Sequence, residues 1–184
     1  FPHLFQNKEA HHSPINIWCA GVSTGQEAYS IGMMASHFVE PPFGRYRSKV
    51  SVLATDISQN ALAIGKKGVY RTSEVDRGLN QELKARCFRQ EGDHLRVSDD
   101  LRKMISFDYL NMVTSFRLDQ SFDLILCRNV LIYFDLEQRQ KIIDRLWLHL
   151  GNHGYLVLGA AENLYGLKTD LQSVRYGDLL CYQK

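Results

Sequence analysis

Apolar residues in this chain gather into short unbroken runs, and between the runs they recur at helical spacing. Residues 15–20, 50–55, 105–108, 122–127 and 155–159 are the runs, each bounded by polar or turn-forming residues. Such a run reads as a strand buried on both faces. Residues 26–38 instead place Ile31, Met34, Ala35 and Phe38 on one face of a helix, which Pro41-Pro42-Phe43-Gly44 ends. Ser58 stands where it can cap a second helix lasting to about Gly68, and residues 137–150 read as a third, closed by Gly151. Strand, turn, helix and strand in that order make a βαβ unit. Its repetition predicts an α/β fold, with a Rossmann-like, doubly wound, mostly parallel sheet carrying helices on both faces.

One stretch breaks the alternation. Residues 80–86 read as a polar helix leading to Cys87-Phe88-Arg89-Gln90, a turn at Glu91-Gly92-Asp93, and His94-Leu95-Arg96-Val97. This predicts a small β-hairpin subdomain, about residues 86–104, inserted into a single domain that spans 1–184. Residues 174–182 read as a final hairpin turning at Gly177-Asp178.

Composition narrows the class of protein. With 45% hydrophobic and 23% charged residues the chain can bury a full core, and a net charge of +2 is too small to argue for a nucleic-acid partner. No apolar run approaches the roughly 18 residues of a membrane helix, and Phe1-Pro2-His3-Leu4-Phe5 lacks the regions of a signal peptide, so a cytoplasmic location without membrane insertion is expected. Cys19, Cys87, Cys127 and Cys181 form no Cys-x-x-Cys pair and read as reduced core thiols. His11, His12, His37, His94, His149 and His153 lack metal-ligand spacing, so no metal is expected. The chain begins on apolar residues without a methionine, which reads as a piece of something longer.

Sheets of this kind bind ligands beyond the carboxyl ends of their strands. The first strand runs there into Gly21-Val22-Ser23-Thr24-Gly25, whose glycines allow close backbone approach and whose hydroxyls can cap the following helix. A phosphate loop would put a lysine after the last glycine. Gln26 and Glu27 follow instead, and a carboxylate there repels phosphate but accepts hydrogen bonds from a ribose or an ammonium. The ligand is thus a nucleoside without phosphates, and S-adenosylmethionine fits. Asp56 ends the second strand, where an acid can take both ribose hydroxyls or serve as a turn acid. Glu27 can equally be a first-turn acid facing the helix dipole. Asp108-Tyr109-Leu110-Asn111 can present an amide to adenine or form an ordinary turn. Arg128 and Asn129 leave the strand 122–127 at the ligand edge, with Tyr133 shortly after; the alternatives are pairing of Arg128 with Asp123 or Asp135 and core packing of Tyr133.

Taken in order, Ala20-Gly21-Val22-Ser23-Thr24-Gly25-Gln26-Glu27-Ala28-Tyr29-Ser30, Ala54-Thr55-Asp56-Ile57, Gly68-Val69-Tyr70, Cys127-Arg128-Asn129-Val130-Leu131-Ile132-Tyr133-Phe134 and Glu162-Asn163 resemble the CheR-type chemoreceptor glutamate methyltransferases. The resemblance covers nearly the whole chain, and its Arg-Asn-Val-x-Ile-Tyr-Phe block is highly specific. It implies a class I methyltransferase domain that binds S-adenosylmethionine and leaves S-adenosylhomocysteine. It further implies an enzyme that methylates glutamate side chains on the cytoplasmic helices of methyl-accepting chemotaxis receptors, acting as a monomer. By position in the motifs, Glu27 faces the methionine ammonium, Asp56 the ribose, and Asn111 and Met112 the adenine. Arg128 and Asn129 lie at the junction of cofactor and acceptor, and Arg128 and Tyr133 are the catalytic pair. Three features depart from the family's pattern. Its helical N-terminal domain, ending in a Phe-Phe-Arg segment, belongs before Phe1, Gly159-Ala160-Ala161 stands where members often have His-Ser, and the turn Gln90-Glu91-Gly92-Asp93 is short beside the loops of members that dock a receptor's tail peptide.

The chemistry implied is undemanding. A glutamate carboxylate, with a reference pKa of about 4.3, is already anionic at neutral pH, so attack on a sulfonium methyl needs placement rather than a base. Other readings are a methyltransferase for a different acceptor and a signalling module that holds S-adenosylmethionine without turnover.

Overall fold

The computed structural model describes residues 14–39, 49–76 and 78–184. The N-terminal residues and the run Pro41-Pro42-Phe43-Gly44 lie outside the described residues, as does the side chain of Phe38. In chain order the elements are β1 (Ile15–Ala20), α1 (Gln26–Val39), β2 (Val50–Asp56), α2 (Gln59–Lys67), β3 (Val69–Arg71), α3 (Thr72–Val75), α4 (Gln81–Cys87), β4 (Phe88–Glu91) and β5 (His94–Val97). Then come α5 (Asp99–Met104), β6 (Ile105–Tyr109), β7 (Phe122–Cys127), a 3-10 turn (Leu131–Tyr133), α6 (Leu136–His149), β8 (Leu150–Leu158), β9 (Gln172–Tyr176) and β10 (Leu179–Gln183).

The main sheet has seven strands in the order β6-β2-β1-β7-β8-β10-β9. From β6 to β8 every neighbouring pair is parallel, while β10 runs antiparallel to both β8 and β9. The order reverses between β1 and β7, which places the ends of β1, β2, β6 and β7 along one edge. This is the doubly wound α/β fold predicted from the apolar runs.

Both faces of the sheet are buried, and the strand period shows it. Ile17 and Cys19 pack with Ala28, Tyr29, Ile31 and Met33 of α1, whereas Trp18 and Ala20 pack with Ile142, Ile143 and Leu146 of α6. Trp18 is fully buried and its indole N–H donates to the Thr55 hydroxyl at 2.8 Å, so the bulky ring carries no unmet donor into the core. Of the face read from the sequence for α1, Ile31 and Ala35 are buried, but Met33 is buried in place of the exposed Met34, on the side where Gly32 approaches Leu101 and Ile105.

The local signals at α2 are those read from the sequence. The Ser58 hydroxyl oxygen accepts from Ala61 N at 3.2 Å, and Gly68 ends the helix with a left-handed φ of 62°. At α6 the C-terminal reading was wrong. The chain passes straight from His149 into β8, whose Leu150 pairs with Phe122, so Gly151 lies within a strand and caps nothing. The hairpin β4–β5 gains a third strand, since Val69–Arg71 pairs antiparallel with β5.

Two glycines let α2 press against the ligand edge. An added Cβ on Gly65 would meet the Phe107 ring at 2.5 Å, and one on Gly25 would lie 3.0 Å from the Gly65 Cα. Gly65→Ala gains about 1 kcal/mol of helix propensity, but overpacking of this kind costs about 1–3 kcal/mol. The variant should therefore be less stable in urea unfolding. A rise in stability, as propensity alone dictates, would show that the contact is slack.

Candidate active site

Three turns at the carboxyl ends of the strands build the site. After β1 the chain enters left-handed backbone at Gly21 (φ 80°), Ser23 (φ 52°) and Gly25 (φ 95°). The N–H groups of Gly21 and Val22 donate to the Thr55 carbonyl at 2.8 and 2.9 Å, tying the turn to the end of β2. Left-handed backbone at a non-glycine costs about 1 kcal/mol, and Asp56 offsets it at Ser23. Its Oδ2 accepts from Ser23 N at 2.7 Å and its Oδ1 from Ser58 N at 2.8 Å. Asp56 thus serves as the turn acid the sequence allowed. Each carboxylate oxygen still has a second lone pair for a ligand. From the other side the Tyr70 hydroxyl, on β3, donates to the Thr24 carbonyl at 2.8 Å.

The turn after β7 carries Arg128 and Asn129. Arg128 Nη1 donates to Glu27 Oε2 at 2.8 Å, joining the start of α1 to the end of β7 across the switch point. Arg128 thus takes neither of the alternative partners, Asp123 and Asp135. Asp123 Oδ2 accepts from Asn16 N, and Asp135 caps α6 through Gln138 N. Burial pushes the Glu27 carboxyl above its usual range, and the Arg128 charge and hydrogen bond pull it partly back. Val130 closes over the first turn: an added Cβ on Gly21 would fall 2.4 Å from its Cγ2 and 3.8 Å from the Met112 Cε. Tyr133 is 78% exposed, which overturns core packing as its role.

The third turn, after β6, is held by its own Asn111 and by Arg145 of α6. Asn111 Oδ1 accepts from Val113 N at 3.0 Å, and Arg145 Nη1 donates to the carbonyls of Met112 and Val113 at 2.6 and 2.8 Å. Beside Arg128 a cavity of about 840 Å³ opens between Ile31 and Met34 of α1, Leu126, Val157 and Leu179.

Glu162 was given no role by sequence reasoning. It is 9% exposed and its carboxylate accepts four backbone N–H groups, those of Gly159 (2.7 Å), Asn129 (2.8 Å), Val130 (2.9 Å) and Ile132 (3.3 Å). Two signals were available: Glu162-Asn163 stands among the blocks that carry the resemblance, and the acid lies three residues past a glycine at a strand end. Among the described residues no cluster of His, Cys, Asp or Glu is arranged to hold a metal ion. His149 is structural: its Nε2 accepts from Leu118 N and its Nδ1 donates to the Arg145 carbonyl, so it is a neutral imidazole. All four cysteines are buried. No helix among the described residues is long and apolar enough to cross a membrane.

Residues 2–178 match the family described as CheR methyltransferase, SAM binding domain. The chain is 38% identical over 181 residues to a chemotaxis protein methyltransferase of Vibrio parahaemolyticus, covering 98% of this chain and 66% of that protein. It is 36% identical over 170 residues to chemotaxis protein methyltransferase 1 of Pseudomonas aeruginosa, covering 92% and 62%. The chain therefore spans just under two thirds of the curated relatives it matches. Among solved structures it superposes on a TehB-like SAM-dependent methyltransferase of Corynebacterium glutamicum with a TM-score of 0.52 at 13% identity, covering 93% of this chain and 79% of that one, a likeness of fold. Motifs, sheet order and family match agree, and the chain belongs to the CheR methyltransferase family as its S-adenosylmethionine-binding domain.

Proposed function

We propose that this domain is the methyl-transferring part of a protein-glutamate O-methyltransferase that modifies the cytoplasmic helices of chemotaxis receptors. The observation that carries the reading is the Glu27–Arg128 ion pair, which sets an anion and a half-exposed cation side by side at the switch point, next to Asp56. The names of the relatives support the same acceptor.

The residues present fit S-adenosylmethionine. Asp56 offers lone pairs to ribose hydroxyls, Glu27 offers a carboxylate to the methionine ammonium, and Asn111 and Met112 border the same edge for adenine. Glycine at position 21 leaves room for the Val130 side chain, which brings the turn after β7 against the turn after β1. When bound, the cofactor supplies an electrophilic methyl on sulfur.

Arg128 keeps N–H donors beyond the one given to Glu27, and these can grip one oxygen of an acceptor glutamate. Tyr133, exposed nearby in sequence, can donate to the same carboxylate. Too strong a grip would stabilise the anionic ground state and slow a reaction that destroys charge. Sharing Arg128 with Glu27 moderates that grip.

Burial of Glu27 has a cost that the pair with Arg128 offsets only in part. A carboxyl whose pKa is raised in the folded protein adds stability that is complete below the ordinary carboxyl range and is lost as pH rises through the raised value. Glu27 is such a group, so holding it ionised at neutral pH costs stability, and an ammonium bound beside it would offset part of that cost.

The reading is tested by incubating the protein with labelled S-adenosylmethionine and receptor-rich membranes. The expected product is base-labile methyl ester on receptor glutamates; stable label, or none, contradicts the acceptor. Arg128→Ala removes the influence that lowers the Glu27 carboxyl. Glu27 should then titrate at higher pH than in the wild type when its carboxyl carbon is followed by NMR. A lower value would mean that the two groups are not coupled as the structure shows.

A further inference from the structure

We infer that Glu162 is a positioning residue for methyl transfer, acting through the turn that carries Arg128 and Asn129; this rests on the function proposed above. Its carboxylate is buried and pairs with backbone rather than a cation. Oε2 takes the N–H of Asn129 and Gly159, and Oε1 takes those of Val130 and Ile132. Three of these four donors belong to the segment joining β7 to α6. Asn129 holds a left-handed φ of 59° without being glycine. Left to itself it would relax toward ordinary backbone and re-aim the neighbouring Arg128.

Gly159 shows how closely the acid is seated. An added Cβ there would stand 2.5 Å from Glu162 Oε2 and 2.9 Å from Asn129 N, so only glycine leaves the carboxylate room to reach the turn. Glu162 N in turn donates to the Gly159 carbonyl at 2.9 Å, closing a tight loop at the end of β8. The arrangement spans two strand ends, β7 and β8, and fixes the backbone under Arg128 without occupying the guanidinium.

Glutamine at this position would keep one acceptor oxygen and turn an NH2 toward two backbone N–H groups. Glu162→Gln should lower kcat about tenfold or more while the dissociation constant for S-adenosylhomocysteine changes less than about threefold, since the ribose and ammonium partners lie on other turns. On an Arg128→Ala background the same substitution should cost nothing further, because there is no guanidinium left to aim. Gly159→Ala, which displaces the carboxylate without removing it, should give the same profile if the Gln variant folds poorly. In the wild type the amide protons of Asn129 and Val130 should resist hydrogen exchange although Asn129 is exposed, and Glu162→Gln should release them. Parallel loss of kcat and ligand affinity, a full effect on the Arg128→Ala background, or fast exchange in the wild type would each overturn the inference. A wild-type protein that transfers no methyl overturns the function and with it this role, and the exchange measurement separates that failure from a failure of the Glu162 hold.

Discussion

A carboxylate accepting backbone amide protons is the interaction on which the ligand edge depends. Ser23 and Asn129 both hold left-handed backbone without being glycine, and each gives its N–H to an acid, Asp56 and Glu162 respectively. The acids come from the ends of other strands, so each ties its turn to a neighbouring strand. Charge-assisted hydrogen bonds of this kind contribute about 1.5–3 kcal/mol, enough to hold a strained turn. Remove them and the turns after β1 and β7 would no longer face each other at fixed separation.

With the turns held, the parallel register of β2, β1 and β7 sets what meets what. Ala20 pairs with Thr55 and Cys19 with Leu126, so Gly21, Asp56 and Arg128 leave the sheet at nearly one level. Val130 can then close on Gly21, and Arg128 can reach Glu27. The result is an edge with two acids and one shared cation. That suits a ligand carrying hydroxyls and an ammonium on one side and an acceptor carboxylate on the other, which is the chemistry proposed.

Much of the fold was legible because its signals are local. The apolar runs at β1, β2 and β7, the Ser58 cap and the Gly68 terminus each depend on a few neighbouring residues. Strand β3 was missed because three residues with one buried tyrosine make no pattern until β5 pairs with them. On α1 Ile31 and Ala35 are buried as read, but Met33 replaces Met34 because the packing of Gly32 near Leu101 and Ile105 is a tertiary contact the periodicity does not show. At the site, sequence reasoning marked Glu27, Asp56 and Arg128, and the fold brings them to one edge. It did not see that Arg128 pairs with Glu27 across 101 positions, or that Glu162 captures a turn some 30 positions earlier. Both need the adjacency of strands that lie far apart in the chain.

A crystal structure with S-adenosylhomocysteine tests the central claim most directly, that the edge these turns hold in place receives the cofactor on Asp56 and Glu27. The account predicts ribose hydroxyls within hydrogen-bond distance of Asp56, the amino-acid ammonium on Glu27, and Arg128 still facing the open side. A ligand whose ribose lies away from Asp56, or one seated in the cavity beside β8 and β10, would contradict it.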